Sequence, residues 1–362
     1  MAKRLLAVCS AVLLTTAPFS PQRSPHVAPC SLGGPPADAP WPGRLTAASN
    51  APAPLRFVAD IPMPGRPVRF DYQSLDPQTG RLYVSHMDAG HLVVFDTRAQ
   101  RVLANLGGFP RVTGVLAVPA EGRTYASVTG NHEVVVVDDS SLRVIAHVVG
   151  PTFPDGIAYV PGVRRLFVSD ESGKREYVID ARRNRVVTAI SLGGEAGNTQ
   201  YDAVSHCVIV AVQTLNQLVV VDPTSARIVR RVTLASAVRH PHGVAIDAPR
   251  RLAFVAGDES GTVGVLDLRT FRLMQVVRVG ADPDVLALDL GLARLYVAAE
   301  SGVVSVFREQ GDTLVLRGRV TIPHAHTVAV DLVSHRIFLP LENLNGTPVL
   351  RLMDSVPGSG RR

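Results

Sequence analysis

The chain has 362 residues, a formal charge of +6 and 46% hydrophobic residues, with only 5% aromatic. That apolar fraction excludes a disordered or collagen-like chain, and three cysteines exclude a disulfide framework. Length alone allows two or three domains, so domain count must come from the pattern along the chain.

Met1-Ala-Lys-Arg precedes an apolar run over residues 5–14, interrupted by Cys9-Ser10. This is the charged start and short apolar stretch of a secretory signal peptide, too short to span a bilayer. Residues 1–17 are therefore expected to be a signal peptide cleaved after Ala17. The mature chain would then carry no transmembrane segment and would be periplasmic or secreted. Residues 18–54 hold ten prolines and little that could build a core, which predicts a disordered linker. Cys30, within it, reads as incidental, and Cys207 as a packed strand residue. Residues 55–61 (Leu-Arg-Phe-Val-Ala-Asp-Ile) read as a strand standing alone before the first repeat.

From there to about residue 354 the chain repeats itself. An aromatic residue or Ile recurs at Tyr83, Tyr125, Phe167, Ile209, Phe254, Tyr296 and Phe338, in steps of 42, 42, 42, 45, 42 and 42. A second marker, Asp96, Asp138, Asp180, Asp222 and Asp267, shares the same three-residue insertion in its last step. Each repeat holds four short runs rich in Val, Ile, Leu and Tyr, separated by turn sequences such as Asp76-Pro77-Gln78-Thr79-Gly80. Four strands per unit at this period describe a propeller blade. The fold class is all-β: a seven-bladed β-propeller of four-stranded blades, one domain over residues 55–354, followed by a flexible tail (355–362) and expected to be a monomer. The seventh repeat ends before its fourth strand, so strand 55–61 is expected to complete the last blade and close the ring, removing an exposed edge.

The second runs include Tyr83-Val84-Ser85-His86, Phe167-Val168-Ser169-Asp170, Phe254-Val255-Ala256-Gly257 and Tyr296-Val297-Ala298-Ala299. In these tetrads the chain resembles the YVTN-repeat β-propellers, including the exported YncE-like bacterial proteins, although none of them ends in the family's Asn. The resemblance covers residues 55–354 and implies a seven-bladed ring. The family has no common activity. Some relatives are linked to DNA binding, and similar rings serve as lactone hydrolases or cell-envelope binding proteins. No functional residue is carried over.

Two positions followed through every repeat carry the functional signal. The residue before each first strand is Asp71, Thr113, Asp155, Gly197, His242, Asp284 and His326. The residue ending each second strand is Met87, Thr129, Glu171, Gln213, Asp258, Glu300 and Glu342. Because strands alternate in direction, both series fall on one face, around the mouth of the central channel. Four blades would supply pairs: Asp155 with Glu171, His242 with Asp258, Asp284 with Glu300, and His326 with Glu342. Asp71 adds a ninth candidate, and His240 and His324 flank the two histidines. Phe70, Tyr72, Phe109 and Phe153 would give the mouth an apolar flank.

Carboxylates and imidazoles around a concave mouth suit a divalent cation: Zn²⁺ or another transition metal if imidazoles ligate, Ca²⁺ if only oxygens do. A His–carboxylate pair there would also serve as a general base. The opposite face gathers arginines at turns, among them Arg81, Arg123, Arg165, Arg251, Arg294 and Arg336. The closing aspartates sit at tight turns and read as turn-formers. There is no phosphate-binding Gly loop, Cys-x-x-Cys, haem-attachment motif, His-Glu-x-x-His or Gly-x-Ser-x-Gly elbow. The first functional expectation is a non-catalytic propeller binding a small molecule or cell-envelope protein at the mouth. The second is a metal-dependent, lactonase-type hydrolase using the same mouth. The third is nucleic-acid or polyanion binding through the Arg-rich face.

Overall fold

The computed structural model describes residues 28–32, 45–46 and 55–356. The expected signal peptide (1–17) lies outside the described residues, as does the tail beyond residue 356. Seven antiparallel sheets follow one another in chain order: blade one at 73–107, two at 112–149, three at 154–191, four at 196–233, five at 241–278, six at 283–321 and seven at 329–355. In blades one to six the four strands pair in sequence order, from an innermost first strand to an outer fourth. The three-residue insertion falls between blades four and five, so it lengthens a loop and leaves the ladders intact.

Blade seven contributes only Ala329–Val330, Arg336–Leu344 and Thr347–Ser355, and Leu55–Pro62 lies antiparallel to the last of these as its fourth strand. Leu55 faces Ser355 and Pro62 faces Val349. The expected closure is therefore present, one residue longer than the sequence pattern gave. Ion pairs flank the seam, Arg56–Asp354 at 2.6 Å and Arg351–Asp60 at 2.7 Å.

The marker aromatics explain the period. Tyr83, Tyr125, Phe167, Ile209, Phe254, Tyr296 and Phe338 are all fully buried, and they fill the space between adjacent blades. Three of them also reach the following blade: the Tyr83 hydroxyl donates to Asp139 (2.9 Å), Tyr125 to the Ala181 carbonyl (3.3 Å) and Tyr296 to Ser355 (2.9 Å). The third runs at 134–137 and 218–221 are buried throughout, as their continuous apolar character predicts.

The turn arginines perform a related task at the opposite end from the mouth. Arg81 donates to the Asp139 carbonyl, Arg123 to Ala181 O (2.5 Å) and Asn184 (3.1 Å), Arg165 to Pro223 O (2.9 Å), and Arg294 to Val356 O (2.7 Å). Each links its blade to the next. The closing aspartates cap their own turns: the Asp96 carboxylate accepts from the amides of Arg98 and Ala99, both at 2.9 Å.

The cysteines require a correction. Cys30 is not incidental: it forms a disulfide with Cys207, which opens the second strand of blade four. Three cysteines exclude a framework of bridges but not a single one. Beside it the Ser31 amide donates to Ser205 O at 2.8 Å. Further on, Leu45–Thr46 adds a short parallel strand to the outer edge of blade five, with Leu45 opposite Val276. Two stretches of the expected linker thus lie against the ring. Among the described residues no helix is long and apolar enough to cross a membrane.

Candidate functional site

The first strands of blades two to six all begin with the same irregularity. In blade three, Pro154 faces Asp170 and the next aligned pair is Ile157 with Val168, so Asp155 and Gly156 form a bulge. Equivalent steps fall at Val112/Val115, Ala196/Thr199, Pro241/Val244 and Pro283/Leu286. A bulge re-aims a side chain, and the residue re-aimed is the first-series position. Neighbouring bulges touch through backbone: a Cβ at Gly114 would lie 1.9 Å from Asp155 O, and one at Gly243 would lie 2.1 Å from Asp284 O. Only glycine permits that approach.

A recurring backbone bond docks the second series alongside. The amides of Thr129, Glu171, Gln213, Asp258 and Glu300 donate to the carbonyls of Arg111, Phe153, Glu195, His240 and Asp282, each two residues before the first-series position of its blade.

These positions enclose a cavity of about 540 Å³. Seven of the nine candidates line it: Asp71, Asp155, Glu171, His242, Asp258, Asp284 and Glu300. His326 lies buried behind the wall, and a ligand atom from each of Asp71, Asp284 and His326 falls within 4.8 Å of the others. Glu342 does not line the cavity; it pairs with His324 at 3.5 Å. Blade seven differs because its second strand runs on to Leu344, where blades one, two, four and five turn through a short 3-10 helix. Of the expected apolar flank, Tyr72 and Phe153 line the cavity, joined by Met87, whereas Phe70 and Phe109 are buried in the core.

The expected pairs within blades are not the contacts that form. His242 Nε2 lies 3.3 Å from Asp284 Oδ1 in the next blade and 3.9 Å from Asp155 Oδ2. Glu300 meets Arg69 of blade one at 2.7 Å. Asp258 takes the flanking His240 at 3.1 Å. The Tyr72 hydroxyl reaches across the axis, 3.1 Å from His242 Nε2 and donating to Asp155 Oδ2 at 3.4 Å. Tyr72 also borders a second cavity in the channel beyond, lined by both apolar and polar groups, so it forms the floor of the mouth.

Burial and like charge dominate the electrostatics. The Asp71 carboxyl is held well above the usual carboxylate range by burial, reinforced by the charges of Asp155 and Asp284. Asp155 is raised by burial, with His242 opposing. Burial and the charge of Asp155 push Glu171 up to about 7. For His242 burial acts to lower the pKa, but the hydrogen bond and charge of Asp284 outweigh it and lift the imidazole to about 10. Asp284 is depressed because the His242 bond and the surrounding cations overcome its own burial. Eight of the eighteen lining residues are Asp or Glu, against two arginines and two histidines.

Arg69, Arg111, Asp282 and Asp88 also line the cavity and were not among the candidates. Three of them had a signal. The positions two before the first series are Arg69, Arg111, Phe153, Glu195, His240, Asp282 and His324, a third ring on the same 42/45 spacing. Four of these adopt positive φ (Arg111, His240, Asp282 and His324), a conformation that non-glycine residues rarely take. Asp88, at the tip of a short turn in blade one, belongs to no such series.

No family model matches the sequence, and no curated protein matches it. Among solved structures the chain is similar to a chain of the hydrazine synthase of Kuenenia stuttgartiensis, 15% identical, with a TM-score of 0.67 over 84% of this chain and 97% of that one. At that identity the likeness shows a shared propeller fold.

Proposed function

We propose that the protein is an exported, non-catalytic binding propeller whose mouth takes a small ligand carrying positive charge beside an apolar part. The observation that carries this is the charge imbalance of the cavity: eight acidic side chains converge there, several raised in pKa by one another and by burial. Carboxylates so placed gain most from a cation brought in from outside. Tyr72, Phe153 and Met87 supply an apolar side suited to an organic ammonium group. A cavity of about 540 Å³ has the size of a small-molecule site. The Cys30–Cys207 bridge supports export, because disulfides persist in oxidising compartments. The repeated tetrads and the seven-bladed ring support kinship with the YVTN-repeat propellers.

The test is calorimetric titration with small organic amines and, in parallel, with carboxylic acids of matching size. Amines are expected to bind and acids not, with amine affinity reduced about tenfold in a Glu171→Gln/Asp258→Asn double variant. Equal binding of both classes, or of neither, overturns the proposal. The hydrolase reading draws on one observation, Glu171 poised near neutral pH in a cavity, as a general base must be. Turnover of any lactone in the presence of Zn²⁺, abolished by Glu171→Gln, would favour it.

A further inference from the structure

We propose that Asp71, Asp284 and His326 form a binding site for one divalent transition-metal cation, of the Zn²⁺ class, in the wall of the mouth. The proposal rests on and deepens the reading of the mouth as a cation-binding cavity by naming a second occupant and the three residues that hold it, two of them among the acids of the cavity.

Three side chains contributed by blades one, six and seven bring ligand atoms within 4.8 Å of one another. Two further observations point to a ligand. Asp71 is only 6% exposed, borders the cavity, and among the described residues its carboxylate accepts no hydrogen bond and joins no ion pair. A buried carboxylate normally has donors, and the bond to Ser85 O uses the Asp71 amide, not its side chain.

His326, 1% exposed, supplies the second observation. Its Nε2 lies 2.9 Å from the Phe70 carbonyl, which can only accept, so Nε2 carries the proton and Nδ1 keeps the lone pair in the neutral ring. Among the described residues no hydrogen-bond donor reaches Nδ1, and the Glu300 carboxylate lies 4.0 Å from it. An imidazole fixed by donating one ring N–H to a backbone carbonyl is the usual posture of a metal-bound histidine.

The cluster is thus three acceptors facing one another without a shared donor. Asp284 is oriented from outside by His242 at 3.3 Å and by Arg69 at 3.9 Å, and Arg69 is itself drawn toward Glu300 at 2.7 Å. Two carboxylates and one imidazole form a mixed oxygen–nitrogen set, which favours Zn²⁺ and its transition-metal neighbours over Ca²⁺. Three protein ligands leave coordination positions open toward the cavity, the arrangement of a site that also admits water or a ligand atom.

The experiment titrates the metal-stripped full chain with Zn²⁺ and, separately, Ca²⁺ by calorimetry, and records the visible spectrum of the Co²⁺ form. One Zn²⁺ per chain is expected, bound at least about 100-fold more tightly than Ca²⁺. Asp71→Asn removes a carboxylate that holds nothing else in place, and it should weaken Zn²⁺ by more than about 100-fold with the far-ultraviolet spectrum unchanged. His326→Ala should do the same and alter the Co²⁺ spectrum; should it unfold the chain, Asp71→Asn decides alone. The Glu171→Gln/Asp258→Asn variant should bind Zn²⁺ as the parent does. Absence of Zn²⁺ binding, or binding untouched by Asp71→Asn, overturns the site whether or not amines bind. Zn²⁺ binding without amine binding upholds the metal site and removes the amine reading.

Discussion

Both ends of the ring carry charged residues repeated at the blade period, and the two sets meet opposite fates. At the turn end, the guanidinium groups of Arg81, Arg123, Arg165 and Arg294 each reach a backbone carbonyl of the following blade. Their donors are matched by neutral acceptors that the next repeat supplies, and their geometry is that of a clamp. At the mouth, Asp71, Asp155 and Glu171 face other acids in a cavity where carboxylates outnumber cations, and their pKa values rise. Periodicity therefore does not distinguish structural charge from functional charge. What separates them is whether the repeat unit also supplies the partner.

The comparison can be broken at either end. The largest effect should come from removing residues 55–62, because the strand they form closes blade seven and both ends depend on an unbroken ring. Thermal unfolding of that truncated chain should begin about 10 °C or more below the parent. An unchanged transition would show that the other six blades hold the ring without its seam. Next in size is Arg123→Ala, which deletes two bonds to blade three, to Ala181 O and Asn184. A loss of about 1.5–3 kcal/mol in urea unfolding is expected, with amine and Zn²⁺ binding unaltered. A neutral result would free this arginine from its clamp role and reopen the Arg-rich end to polyanions, which a retardation assay at two salt concentrations would detect.

Most of the fold was legible because it rests on a repeated local pattern. The aromatic marker, the turn aspartates and the missing last strand each point to the same ring, and the structure adds only Pro62 to the closing strand. The mouth was legible in part. The first and second series placed ten residues around the cavity, seven of them acid or His candidates, because bulge and backbone bond recur in blade after blade. Their partners were not legible. His242 answers to Asp284 of the next blade and Glu300 to Arg69 across the seam, and such contacts depend on how blades lean together. Blade seven broke the pattern locally, taking Glu342 out of the cavity. The Cys30–Cys207 bridge escaped for another reason: a bond across 177 residues leaves no periodic trace.

The smallest effect has the opposite sign and is the sharpest test of the contrast. Glu171 has its pKa raised from 4.5 to about 7 in the folded chain, first by burial and then by Asp155. The folded protein therefore keeps a proton that the unfolded chain gives up between these two values, and stability contributed by that proton is lost as pH rises through the window. Below about pH 4 both states are protonated and the penalty vanishes. Glu171→Gln keeps the shape and removes the titration. After allowance for solvent at the rim it should stabilise the ligand-free protein by about 1–2 kcal/mol at pH 8 and leave it unchanged at pH 4. A loss at pH 8 would mean that Glu171 is matched like the arginines at the other end. An equal gain at both pH values would point to packing in place of charge. Only a gain confined to the alkaline side fits a mouth whose carboxylates await a cation.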